Sequence, residues 1–128
     1  MRGEVPVVER VVVCLTDGDE SRSVTLIEGA DLTLLEHSEG PVTEVAYGSR
    51  EHTHKMVFGR KACAEVLDVS EEQAVEALVA LFEDGERAQG LSDVMDRFDV
   101  AGAHYAYVAW SNAGDVALRR DVESGNAV

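Results

Sequence analysis

Positive charge is what this sequence has least of. Eleven Lys and Arg stand against twenty-five Asp and Glu among 128 residues, a formal net charge of −14. Binding to phosphate needs Lys and Arg to release counterions, so a chain of this sign is excluded from direct nucleic-acid binding and from anionic membrane surfaces. Cysteine is also scarce, with Cys14 and Cys63 alone. Two cysteines cannot build the disulfide framework of a small secreted domain, and their apolar neighbours predict two buried free thiols. No apolar run approaches the roughly 18–20 residues of a membrane span. Met1–Pro6 lacks the apolar stretch of a signal peptide. A soluble, cytoplasmic protein is the expectation. GxSxG, P-loop and GxGxxG patterns are all missing, so no nucleophile elbow or phosphate cradle points to an enzyme, and no cofactor is implied.

Apolar residues make up 45% of the chain, too many for a disordered acidic tail and enough for one hydrophobic core. A single domain is expected over residues 1–122, with a frayed tail at 123–128 that has nothing to bury. The charge is unevenly spread. Residues 65–99 carry eleven acids against Arg87 and Arg97, a net of −9, whereas residues 46–64 carry Arg50, Lys55, Arg60 and Lys61 against Glu51, a net of +3.

The first half predicts strands. Val5 to Leu15 is Val-rich and ends at the polar turn Asp17-Gly18-Asp19-Glu20. Ser23 to Glu28, Leu32 to His37, Val42 to Tyr47 and His52 to Phe58 follow, separated by Gly29-Ala30-Asp31 and by Ser38-Glu39-Gly40-Pro41. The middle changes to helical spacing. Ala62, Cys63, Val66 and Leu67 suit a short helix. Ser70-Glu71-Glu72-Gln73 is a capping box ahead of the stripe Val75, Leu78, Leu81 and Phe82, with Gly85 as its stop. Ser92 is expected to cap a further helix that buries Val94, Met95 and Phe98 and ends at Gly102. Ala103 to Trp110 and Val116 to Arg120 return to strands around a loop at 111–115. The fold class is α+β: an antiparallel sheet of about six or seven strands with two or three helices packed on one face.

Several motifs bear on chemistry. Arg60 to Gln73 resembles the helix-turn-helix of DNA-binding repressors, with Asp68 where that family often has Gly. Its recognition helix would turn Glu71, Glu72 and Glu76 toward phosphates, so two packed helices joined by a tight turn is the preferred reading. Asp17, Asp19, Ser21, Val24 and Glu28 have the spacing of a calcium loop, but Arg22 stands where such loops need Gly, and a charged hairpin is the sounder expectation. His52-Thr53-His54 places two imidazoles on one face of a strand and could supply two metal ligands, with His37, Glu51 or His104 as a third. Cys63 lies near Arg60 and Lys61, which would lower its pKa. Tyr105 and Tyr107 share a face and read as core.

The leading expectation is a non-enzymatic interaction protein. Glu76, Glu83, Asp84, Glu86, Asp93 and Asp96 would bind a basic protein surface, in the manner of an inhibitor that occupies the groove of a nucleic-acid-binding protein. In size and charge the chain is similar to the anti-CRISPR and anti-restriction inhibitors of mobile elements, an analogy of class. Carboxylates near a helix C-terminus oppose the dipole at about 0.3–1 kcal/mol each, so their placement there invites a reason beyond the helix. The alternatives are a metal-binding protein or metalloenzyme using His52 and His54, and a regulatory module that forms a homodimer through a sheet edge or the Tyr105–Trp110 strand.

Overall fold

The computed structural model describes residues 7–83, 90–111 and 118–121. One antiparallel sheet runs through them in sequence order: β1 (Val8–Asp17), β2 (Glu20–Glu28), β3 (Leu32–Glu39), β4 (Glu51–Phe58), β5 (Ala106–Ser111) and β6 (Leu118–Asp121). Helix α1 (Pro41–Tyr47) is inserted between β3 and β4. Helices α2 (Arg60–Leu67), α3 (Ala74–Glu83, entered through a 3-10 turn at Glu71–Gln73) and α4 (Leu91–Ala101) are inserted between β4 and β5. The expected α+β meander is thus present, but with four helices where two or three were expected, because residues read as a strand at 42–47 form α1. The expected tail, the stop at Gly85 and most of the 111–115 loop lie outside the described residues.

Strand alternation sorts side chains onto two faces. Val24, Leu26, Leu32, Leu34, Met56 and Phe58 point to the helices and are fully or nearly fully buried. From the helices come Cys63, Leu78, Leu81, Leu91, Val94 and Phe98. Phe98 packs on Phe58 and Tyr105 with ring centroids 4.8 and 5.9 Å away. The opposite face, with Thr25, Ile27, Leu35, Lys55, Val57 and Trp110, carries no helix among the described residues and is half-buried or exposed. Cys14 belongs to that bare face, on edge strand β1, and is exposed. This corrects the expectation that both thiols are buried. Cys63 is buried as expected, but burial pushes its thiol up to about 11, outweighing the Arg60 charge that was expected to lower it.

One expected strand is a helix. Val42–Tyr47 shows period-two apolar spacing, yet Val42 and Val45 are exposed and it is Thr43 that is buried. Pro41 at the first helical position suits a helix start, and Gly48 closes the end in the left-handed conformation at φ 78°. Gly40 supplies no capping side chain, so β2 provides one: Glu20 accepts the Val42 amide at 2.8 Å and the Thr43 amide at 3.3 Å, and also the Thr43 hydroxyl. The Thr43 hydroxyl bond, assisted by those amides and by Arg50, holds the Glu20 carboxyl below its ordinary value against the effect of burial. The expected helix cap at Ser92 is also displaced. The N-cap of α4 is Gly90, without a side-chain bond of its own. The capping box of Ser70 and Gln73 forms as expected. The turn before it is tight, with Asp68 itself left-handed at φ 59°.

Gly40 is the least replaceable residue of this layer. It has φ +133°, and a Cβ there would lie 2.3 Å from Glu20 Oε1 and 2.6 Å from the Asp19 carbonyl oxygen. Gly40→Ala should therefore destabilise the fold by about 2–4 kcal/mol, through strain and overpacking together. Urea unfolding measures this, and a loss under about 0.5 kcal/mol, the range of an ordinary surface change, would refute it.

Candidate functional site

The covered face of the sheet changes character along its length. Inward positions of β3 run Leu32, Leu34, Glu36, Ser38, and the antiparallel partners on β4 run Phe58, Met56, His54, His52. One end is apolar core. The other is a buried polar centre under α1 and the start of α4.

Glu36 organises that centre and is only 7% exposed. Its Oε1 accepts the Leu91 amide at 2.8 Å, which supplies the missing cap of α4, and lies 3.3 Å from His54 Nε2. Its Oε2 accepts Arg22 Nη1 at 3.3 Å. Burial alone would raise the Glu36 carboxyl. Hydrogen bonds from His54 and Leu91, with the charges of His54 and Arg22, outweigh it and hold the group below its ordinary value. A carboxylate only accepts, so His54 Nε2 carries the proton, and in a neutral ring Nδ1 accepts the Tyr107 hydroxyl at 2.8 Å. Space is tight at Gly90, where a Cβ would come within 2.8 Å of Arg22 Nη1 and 2.9 Å of Glu36 Oε1.

His52 lies one pleat further along. Tyr47 of α1 stacks flat on it, with centroids 3.7 Å apart and planes 4° from parallel. His52 Nδ1 is buried with no hydrogen-bond partner among the described residues. Burial, then the neighbouring His54, lowers its pKa, so the ring is neutral at neutral pH. Burial and the Glu36 charge raise that of Tyr47.

A carboxylate, an imidazole and a phenol in series could move a proton. Here, however, each group already bonds a residue from a different element, and Glu36 and His54 are nearly closed to solvent. The chain Arg22–Glu36–His54–Tyr107 ties β2, β3, β4 and β5 together and pins α4 to them. Its chemistry is that of a clamp.

The residues expected to carry function fall in three places. The acids of residues 65–99 do form one layer: Glu65, Asp68, Glu71, Glu72, Glu76, Glu83, Asp96 and Asp99 are exposed on the helical side, and Asp93 is half-buried. Asp84 and Glu86 lie outside the described residues. Glu76 is paired with Arg10 of β1 at 3.3 Å, and Asp99 accepts the Tyr105 hydroxyl at 2.7 Å. The basic island reaches elsewhere: Arg50 pairs with Glu44, and Arg60 donates to the Gly29 carbonyl at 2.9 Å. His52 and His54 share the covered face with centroids 5.5 Å apart, as the HxH spacing predicts. Their suggested third ligands His37 and Glu51 are on the opposite face, because alternation turns residues 51 and 53 away from 52 and 54. There His37, Glu39 and Glu51 converge, the one group of three metal-capable donors whose atoms meet among the described residues.

Sequence reasoning missed Glu36, Arg22 and Tyr47. The signal for Glu36 was present: it continues the inward series Leu32, Leu34, where an acid must find partners. Tyr47 was hidden by the strand assignment of residues 42–47. Compared with known protein families, curated proteins and solved structures, the chain matches none.

Replacing Glu36 should separate cap from charge. Glu36→Leu removes the acceptor that Arg22, His54 and the Leu91 amide share and should cost about 3–5 kcal/mol; Glu36→Gln keeps one acceptor oxygen and should cost clearly less. Equal unfolding free energies for the two variants would contradict this. The His52 centre predicts a pH effect of definite sign. An unfolded histidine binds a proton below about pH 6.5 while folded His52 resists it, so stability is complete above that pH and declines as pH falls. His52→Phe keeps the stack on Tyr47, removes the orphan nitrogen and should flatten the decline between pH 7 and 5. Parallel wild-type and variant profiles would exclude His52 as its source.

Proposed function

We propose that the protein is a non-enzymatic interaction protein whose helical layer binds a basic surface on a partner protein. The supporting observation is the set of exposed carboxylates on the helical side. Glu65, Glu71, Glu72, Glu83 and Asp96 are exposed on the helical side, and none forms an ion pair among the described residues. No basic residue occupies the last turn of α2, α3 or α4, where cations would be locally favourable. Glu83 ends α3, and local helix energetics give no reason for an acid there. Packed helices hold the backbone that carries these carboxylates in place, so the ordering cost on meeting Arg and Lys falls on the side chains alone. The most specific form of the reading is an inhibitor that competes with nucleic acid for the positive groove of its target.

Association driven this way is steered by charge and weakened by salt. Capture from host lysate should recover a basic, nucleic-acid-binding partner at low ionic strength and lose it at high. With that partner in hand, the triple variant Glu72→Lys, Glu83→Lys, Asp96→Lys should abolish capture, while Asp17→Lys, Asp19→Lys in the β1–β2 hairpin should leave it intact. Full binding by the triple variant would reject the proposal.

A further inference from the structure

The bare face of the sheet carries a second arrangement, independent of the acidic layer. Register places Glu39 directly opposite Glu51 and His37 directly opposite Thr53. Like charges at paired positions destabilise a sheet, so the Glu39–Glu51 pair needs something positive between or beside it. The His37 imidazole lies beside that pair, with Nε2 3.1 Å from Glu51 Oε2 and 3.6 Å from Glu39 Oε1, so a bound cation would be shared by all three. The three donor atoms all lie within 4.8 Å of one another.

The imidazole, more than the acids, makes this a site. Its other nitrogen, Nδ1, is 2.8 Å from Thr53 Oγ1, so the ring is oriented from outside the cluster. An outer-shell partner on the second nitrogen is what metal-binding histidines commonly have, since it fixes tautomer and ring direction. Spacing agrees as well. Nitrogen and oxygen ligands at 2.0–2.2 Å around a tetrahedral ion stand about 3.3–3.6 Å apart. The 3.6 Å separation from Nε2 to Glu39 lies at that edge length, and the 3.1 Å separation to Glu51 is slightly shorter. Side-chain exposures of 33% for His37, 59% for Glu39 and 37% for Glu51 leave room for entry and for water ligands.

We infer that His37, Glu39 and Glu51 form a binding site for a divalent first-row transition ion, with zinc the probe of choice. One imidazole and two carboxylates select such ions over magnesium and calcium, whose sites are built from oxygen alone. The ion removes the repulsion between Glu39 and Glu51 and staples β3 to β4. His52 and His54 take no part, because they face the helices.

Zinc titration of chelator-treated protein by calorimetry tests this. The expected result is saturable one-to-one binding, no comparable binding of magnesium, and a melting temperature that rises with free zinc, as for any ligand of the native state alone. His37→Ala and the double variant Glu39→Gln, Glu51→Gln should each weaken binding by at least about tenfold, and Thr53→Val by about tenfold through loss of ring orientation. Cys14→Ser and His52→Phe should bind as wild type does. Half-exposed positions keep these variants foldable, and circular dichroism verifies it. Absence of one-to-one binding, undiminished binding by both the His37 and the double-Glu variants, or its loss in Cys14→Ser would overturn the assignment. Each outcome is independent of whether the helical layer has a basic partner.

Discussion

A single buried carboxylate holds the two layers in register. Glu36 meets Arg22 from β2, His54 from β4 and the first amide of α4, and through His54 it reaches Tyr107 on β5. Burying an ionised group costs several kcal/mol, and only near-complete hydrogen bonding offsets it. That requirement makes the centre specific as well as stabilising. An α4 shifted by one turn would present another amide, and a slipped β3 would carry Glu36 to the bare face. The apolar core tolerates small rearrangements of volume, whereas this centre does not.

Carboxylates recur here as caps supplied from a distance. Helix α1 starts at Gly40 and α4 at Gly90, and neither glycine offers a side chain to its helix. Glu20 and Glu36 supply the acceptors from neighbouring strands. A local cap such as Ser70 stabilises a helix before it docks. A borrowed cap acts only once helix and sheet are together, so it links secondary structure to tertiary structure. Two of the twenty-five acids are thereby accounted for by the fold, as are Glu28 and Glu76 around Arg10. Glu65, Glu71, Glu72, Glu83 and Asp96 are exposed and form no ion pair among the described residues, and the proposed partner surface rests on them.

Much of this was legible in the sequence, for identifiable reasons. Period-two alternation in β2, β3 and β4 and helical spacing in α3 and α4 are strong because each element has one buried face. The hairpin at Asp17–Glu20 and the capping box at Ser70 are set by local chemistry. Residues 42–47 misled because Thr43, Val45 and Tyr47 alternate like one face of a strand although Val45 lies exposed on a helix, with Pro41 and Gly48 marking the true ends. Ser92 misled because a cap from β3 is invisible to a reading of neighbours along the chain. At the candidate sites, the HxH pair was visible. The partition of His37 and Glu51 to one face and His52 and His54 to the other depends on register, which only the paired strands define.

The sheet order carries one more consequence. Every strand pairs with its neighbour in sequence, and the helices α2 to α4 fall within residues 59–105, between β4 and β5. That excursion is a loop in the polymer sense, anchored at both ends to adjacent strands. Closure entropy grows only with the logarithm of loop length, about 0.6 kcal/mol for each doubling. The solvent-facing surface of the helical layer can therefore change at little entropic cost while the strands keep their pairing. The outward side chains of α2 to α4 thus stand apart from strand pairing, whereas Leu78, Phe98 and the Leu91 amide are fixed by the core and by Glu36.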